Sequence, residues 1–332
     1  LKMSRQMEGR MLLADAMEIG DKLYDQVKDL QGVQDIAIAG SLRRRKATIG
    51  DIDLLVAADK ADANEIIEHF ASSDEVNEIL VKGSTKCSII TASMGNQVDL
   101  RVIQPADWGA ALCYFTGSKE HNVHLRQIAK DKGLKVSEYG VFKVSDDTKV
   151  AGKTEASVYE SLDLAWVPPE MREDRGEVEL AKQSALPNLV KLADIKGDLQ
   201  MHSEWSDGKL TIVDLVKLFK ANFNYEYVAL TDHSKAVRMA GGMDDEEFRE
   251  AIAAISNVNE SNGDEFLKTG GEIDINPDGS MDLSDEVLED LDWVVGSIHT
   301  HFDQDNTKRI VKACENPYVH VIGHPTGRII GK

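Results

Sequence analysis

Two short apolar runs, 34–39 and 52–58, frame the stretch Gly40-Ser-Leu-Arg-Arg-Arg-Lys-Ala-Thr-Ile-Gly-Asp-Ile-Asp53, and this arrangement constrains the chain more than any other feature. The first run reads as a strand that delivers the backbone to a small-residue turn at Gly40 and Ser41, where it can approach a phosphate. The second opens with Asp51 and Asp53, and the two-residue period of a strand puts both carboxylates on one face. Such neighbours repel unless a cation sits between them, and hard divalent ions with oxygen ligands suit that place. A bare Asp-x-Asp is an ordinary solvated turn. Here it is joined by the Gly-Ser turn, the basic run Arg43 to Lys46, and Gly50. A third carboxylate, Asp99, lies in the alternating run 96–103, expected beside the first. Three Asp on adjacent strands would hold two metal ions for in-line displacement at phosphorus.

Gly40-Ser41, Arg43, Arg44, Gly50, Asp51 and Asp53, followed by Asp99 and then Tyr114-Phe-Thr-Gly-Ser118, agree in order and spacing with the catalytic domain of the family X DNA polymerases, which the first half of the chain resembles. The resemblance implies a polymerase beta-like nucleotidyltransferase fold, a mixed sheet with helices. It implies that Asp51, Asp53 and Asp99 are catalytic and hold Mg2+, and that Gly40, Ser41, Arg44 and Gly50 hold the triphosphate. Tyr114 and Phe115 would pack against the nucleotide sugar with Gly117 nearby, while Asn122 and Arg126 would contact base pair and template. The partners implied are deoxynucleoside triphosphates and gapped or primer-template DNA. One departure is Gln97, which stands where DNA polymerase beta has an Arg near the primer terminus.

At 332 residues the chain has room for two domains with separate cores. No apolar run approaches the ~20 residues of a membrane span, and the N-terminus carries no signal-peptide pattern. Cys87, Cys113 and Cys314 show no Cys-x-x-Cys spacing, so reduced thiols in a cytoplasm are expected. The net charge of -20 divides unevenly: residues 1–170 carry 21 basic and 27 acidic side chains, or -6, leaving -14 for the remainder. A generally basic DNA-coating surface is excluded. A local path through Arg43 to Lys46, Arg101, Lys119, Arg126, Lys130 and Lys132 is not. A monomer is expected.

In chain order, Met3, Met7, Met11, Leu12, Ala16, Ile19, Leu23 and Val27 predict one or two helices over 3–29, broken near Gly20. Leu1 falls inside this pattern, which suggests a fragment without the helix-hairpin-helix region usual in family X enzymes. Helices are expected over 62–70, 107–113 and 119–132, and strands over 77–81 and 86–91. The family X domain is assigned to 1–165. Residues 166–196, with the Pro168-Pro169 pair and a charged run, read as an interdomain linker, and a second domain occupies 197–332.

That domain carries Gly197-Asp-Leu-Gln-Met-His202, Ser206-Asp-Gly208, Leu230-Thr-Asp-His233, Gly271-Glu-Ile273, Ser297-Ile-His-Thr-His301 and Gly323-His-Pro325. Each His or acid follows a β-rich run, as expected of ligands at strand C-termini in a parallel (βα) barrel. A single such His is commonly a satisfied core residue. Five of them with Asp207 and Glu272 form a ligand mixture suited to zinc, manganese or iron. These motifs resemble the PHP phosphoesterase family, which implies a distorted barrel with up to three metals: His202 and Glu272 at one, Glu272, His299 and His324 at a second, Asp207 and His233 at a third, with Mn2+ or Zn2+ as the ion. His301 is left outside these sets and His320 is taken as structural. Gln200 replaces the first His of the usual His-x-His motif, and the chain stops at Gly331-Lys332 before the closing Asp-x-His, so the expected barrel is truncated.

Together the halves resemble the bacterial and archaeal family X polymerases that carry a 3′-5′ exonuclease, a bifunctional repair enzyme with its nuclease impaired in this fragment. The acidic balance, Gln97 and Gln200 keep open a second class, a DNA gap-binding or scaffolding protein with decayed active sites.

Overall fold

Met11–Leu12 (β1) runs directly into Leu13–Val27 (α1), a helix that continues unbroken through Gly20. A Cβ at Gly20 would approach Leu42 Cδ2 to 3.1 Å and Ile38 Cδ1 to 3.2 Å, so this glycine lets the helix lie close on its neighbours and does not end it. The structure, a computed structural model, describes residues 9–327. Met3 and Met7 of the expected stripe and the final Gly331-Lys332 lie outside them.

The chain continues through Asp35–Ile38 (β2), the four-residue helix Gly40–Arg43 (α2), Thr48–Ile49 (β3), Asp51–Ala57 (β4), Lys60–Ala71 (α3), Val76–Lys82 (β5), Lys86–Thr91 (β6) and Gln97–Ile103 (β7). The turn expected at Gly40 and Ser41 is thus the start of α2. Five strands form one mixed sheet in the order β2-β4-β7-β6-β5, in which β4 and β7 are parallel and the other pairs antiparallel. Alternation divides its two faces. Ile52, Leu54, Val56, Val98 and Leu100 pack with Leu23, Ile66, Ile67 and Phe70 from α1 and α3. The opposite face of β4 carries Asp51, Asp53 and Leu55, the last packed with Ala39 and Leu112.

Trp108–Thr116 (α4) runs three residues past its expected end and so carries Tyr114 and Phe115 on its last turn. Lys119–Asp131 (α5) follows, then the antiparallel strands Leu134–Ser137 (β8), Gly140–Lys143 (β9) and Lys149–Ala151 (β10), and the helices Glu155–Glu160 (α6) and Glu177–Lys182 (α7).

The linker reading of 166–196 is corrected. The first compact unit extends through Asn188 and the second starts at Leu189. Val167, Val178 and Ala181 are core residues alongside Leu125 and Tyr159. Arg172, fully buried, donates to the Val167 carbonyl at 2.9 Å and to Glu155 at 2.7 Å. Of the charges in this run, Arg172 and Glu177 are buried against Glu155 and His121, while Glu170, Asp174, Arg175, Glu179 and Lys182 stay exposed.

In the second unit Gly197–Asp198 (β11), Tyr227–Leu230 (β12), Leu267–Asp274 (β13), Trp293–Ser297 (β14) and Val321–Ile322 (β15) form a sheet in sequential order with every pair parallel. The helices Ile212–Asn222 (α8), Asp245–Asn262 (α9), Asp285–Glu289 (α10) and Thr307–Ala313 (α11) make the crossovers. Among the described residues this sheet is open, with β11 and β15 at its edges. No helix of the described residues is long and apolar enough to cross a membrane.

Candidate active site and metal centre

The parallel pairing of β4 with β7 sets Asp53 directly opposite Asp99, with Asp51 two residues along the same face. Burial, reinforced by Asp51 and Asp99, pushes the Asp53 carboxyl up to about 7. Burial acts on Asp99 in the same sense, but bonds from Gln97 and Lys86 hold it below the usual carboxylate range. Charge crowding of this kind is what a divalent cation relieves, so the three acids fit a hard metal ion. Gly40 abuts them: its φ is +62° and a Cβ there would lie 2.5 Å from Asp53 Oδ2, so both conformation and space demand glycine.

Gly40, Ser41, Arg44, Gly50, Tyr114, Phe115, Gly117, Asn122 and Arg126 line one cleft of about 490 Å³ with Asp51 and Asp53. Arg10, which carried no signal in the sequence, is also in its wall, as is Lys119 of the expected basic path. Arg10 is placed by bonds from Nε to the Thr48 hydroxyl at 3.0 Å and from Nη2 to the Thr48 carbonyl at 2.5 Å. Asn122, expected to reach a base pair, here donates to the Tyr114 carbonyl at 2.7 Å. The Arg101 guanidinium lies over the Phe115 ring, 4.6 Å from its centroid.

In the second unit the parallel strands deliver five ligand-type residues to one edge. Glu272, buried in β13, is central: His324 Nε2 is 3.0 Å, His202 Nε2 3.4 Å, His299 Nε2 3.4 Å and His233 Nδ1 3.5 Å from its carboxylate. Two triads have ligand atoms close enough for a metal, His202–Asp207–His233 and His233–Glu272–His299. The grouping differs from the expected one. His233 follows β12, the strand beside β13, so it reaches both groups, whereas His324 is half exposed and contacts Glu272 from outside either triad. Glu272 is held far below the usual range although burial opposes it, because His202 and His299 surround it. Asp274, ahead of Glu272, lifts His299 to about 9. A carboxylate among imidazoles, with protons shared between them, is a donor set that fits a transition-series cation.

Residues 10–128 match the model described as DNA polymerase beta palm, and residues 111–173 the model described as DNA polymerase beta thumb. The chain is 35% identical to the DNA polymerase/3′-5′ exonuclease PolX of Bacillus subtilis over 97% of its own length and 56% of that protein. Residues 10–173 thus match the palm and thumb of the family X DNA polymerases. It is also 30% identical to DNA polymerase lambda of Rattus norvegicus over 40% of this chain and 28% of that protein. A probable phosphatase of Thermoanaerobacter sp. is 43% identical over 70 residues, 19% of this chain and 28% of that protein. The chain therefore spans little more than half the length of its full-length bacterial relative.

Family X enzymes are metal-dependent DNA polymerases, and the palm and thumb here form the polymerase beta-like mixed α/β fold expected of them. Several supporting residues carried no local sequence signal. Glu155 accepts from both Arg43 nitrogens at 2.8 Å while also bonding Arg172, and the two guanidiniums overcome its burial to hold it down at about 2. In the second unit Asp274 accepts from His299 Nδ1 at 3.1 Å, and Gln200, in place of a ligand, donates to Glu272 at 2.9 Å. Buried Asp232 accepts from Ser203 and Ser206 at 2.8 and 2.6 Å and so fixes the loop that presents His202 and Asp207. His301 is exposed, and His320 stacks on Trp293 while accepting from the Val294 N–H, a structural place.

Proposed function

We propose that this chain extends a primer end with deoxynucleotides in gapped DNA, as a cytoplasmic repair polymerase, and that its second unit hydrolyses phosphodiesters in the 3′-5′ direction. The pairing of Asp53 with Asp99 across two parallel strands, at the mouth of a cleft containing Gly40, Ser41 and Arg44, carries the first half of this reading. Mg2+ held by Asp51, Asp53 and Asp99 would supply the Lewis acidity that favours attack at the α-phosphate. The chain's own part is positioning. Backbone N–H groups at Gly40 and Ser41 and the Arg44 guanidinium suit triphosphate oxygens, the rings of Tyr114 and Phe115 offer an edge to the sugar, and Asn122 and Arg126 stand on the side a base pair would occupy.

The second half rests on the Glu272 cluster, with support from the names of the Bacillus and Thermoanaerobacter relatives. Mn2+ or Zn2+ there would activate a water for attack on phosphorus. His202, Asp207, His233, Glu272, His299 and His324 would hold the ions. The two activities separate by mutation. On a gapped duplex with Mg2+, Asp53→Asn or Asp99→Asn should lower extension by roughly a hundredfold or more while Mn2+-dependent 3′ degradation persists, and Glu272→Gln should do the reverse. Binding of gapped DNA with no extension by the parent chain would favour a scaffold over an enzyme.

A further inference from the structure

The guanidinium assigned to the triphosphate is already held by the protein. Arg44 donates Nε–H to Glu173 Oε1 at 2.8 Å and Nη1–H to the Thr116 carbonyl at 2.6 Å. Its Nη2 has no partner among the described residues, and Arg44 lines the cleft. A guanidinium carries five N–H donors in a rigid plane, so two fixed donors set that plane and three remain for a ligand. Glu173 lies 129 residues away in sequence, at the last position of the thumb match, so no local pattern announces it.

Charge is balanced around this contact. Lys46 Nζ lies 3.3 Å from Glu173 Oε2, which leaves one net positive charge among Arg44, Lys46 and Glu173, of which Arg44 lines the cleft. Burial acts against the Glu173 carboxylate, but Arg44 and Lys46 hold it ionised, below its ordinary range. The Arg44 side chain is only 12% exposed, so the pair is far less screened than a surface ion pair.

We propose that Glu173 is a positioning residue for nucleotide binding, holding the Arg44 guanidinium in the plane from which its remaining donors meet the triphosphate. An arginine that is free to rotate loses rotamer freedom when it grips a ligand; one fixed beforehand does not. The inference rests on the assignment of this cleft to a nucleoside triphosphate.

The decisive measurement is equilibrium binding of dCTP to the full chain on gapped DNA with a dideoxy-terminated primer, which reads the site without turnover, paired with steady-state insertion on an extendable primer. Glu173→Ala should weaken dCTP binding and raise KM by about 3- to 10-fold, the scale expected for releasing one long side chain, with kcat within about twofold. Glu173→Gln, which keeps the acceptor oxygen, should recover part of the loss. Arg44→Ala should raise KM at least as far, and adding Glu173→Ala to it should change nothing more. Unchanged or tighter dCTP binding in Glu173→Ala, or a full additional loss in the Arg44→Ala background, overturns the proposal. A parent chain that binds dCTP but never extends refutes the polymerase reading while leaving the Glu173 result intact, and one that does not bind dCTP refutes both.

Discussion

Asp51, Asp53 and Asp99 were legible at the level of single residues because strand alternation is a local rule, and two acids on one face of an otherwise apolar strand conflict with packing unless a ligand resolves the conflict. Asp274 was not, although it too sits on a strand. Its meaning comes from a residue 25 positions on: it accepts from the backbone N–H and Nδ1 of His299, both at 3.1 Å, and only the register of β13 against β14 brings the two together. A carboxylate that fixes the tautomer and ring orientation of a ligand histidine raises its basicity toward a cation. Asp274→Asn should therefore weaken Mn2+ binding by roughly 10- to 100-fold in calorimetric titration, with the five-stranded parallel sheet intact by circular dichroism. His301→Ala, at an exposed position outside both triads, should leave the titration unchanged, and equal affinities for the parent chain and Asp274→Asn would remove Asp274 from the metal centre.

At the scale of elements, most helices and strands followed from apolar periodicity, and the errors share one cause. Gly20 and the run 166–196 were read from the usual habits of glycine, proline and charge, whereas their roles are set by what packs against them. The thumb shows this most clearly. Arg43 from α2 and Arg172 from the supposed linker converge on one nearly buried carboxylate, that of Glu155 at the start of α6. Removing one member of such a cluster leaves buried charge uncompensated, so Glu155→Gln should destabilise the first unit by about 3 kcal/mol at neutral pH. The pH dependence follows from the direction of the shift. The Glu155 carboxyl titrates near 2 in the folded chain and near 4.5 when unfolded, so its stabilisation is fully present above about 4.5 and is lost as pH falls toward 2. Stability measured for the parent chain and Glu155→Gln between pH 6 and 2.5 should converge at the acid end; a gap that stays constant would mean that Glu155 contributes through shape and not through charge.

At the scale of the molecule, the net charge of -20 sets a condition on any DNA complex: binding needs a local basic path strong enough to outweigh the general repulsion. The basic run that stood out in the sequence is mostly committed elsewhere. Arg43 is bound to Glu155, Arg44 and Lys46 to Glu173, and Lys132 to Asp163. Lys119, Arg126 and Lys130 are exposed, have no ion pair among the described residues, and recur along one face of α5, with Lys119 and Arg126 at the cleft that holds Asp51 and Asp53. If these three cations supply the main phosphate contacts, about three counterions are released on binding, and the logarithm of affinity for gapped DNA should fall with the logarithm of salt concentration at a slope of about -3. Replacing all three by Ala in the full chain should flatten that slope to near zero and weaken binding most at low salt. Lys217→Ala, on α8 of the acidic second unit, should leave the slope unchanged. A slope far steeper than -3 would show that Arg43, Arg44 or Lys46 leave their carboxylates to meet DNA, so the measurement also reports whether the internal pairs survive complex formation.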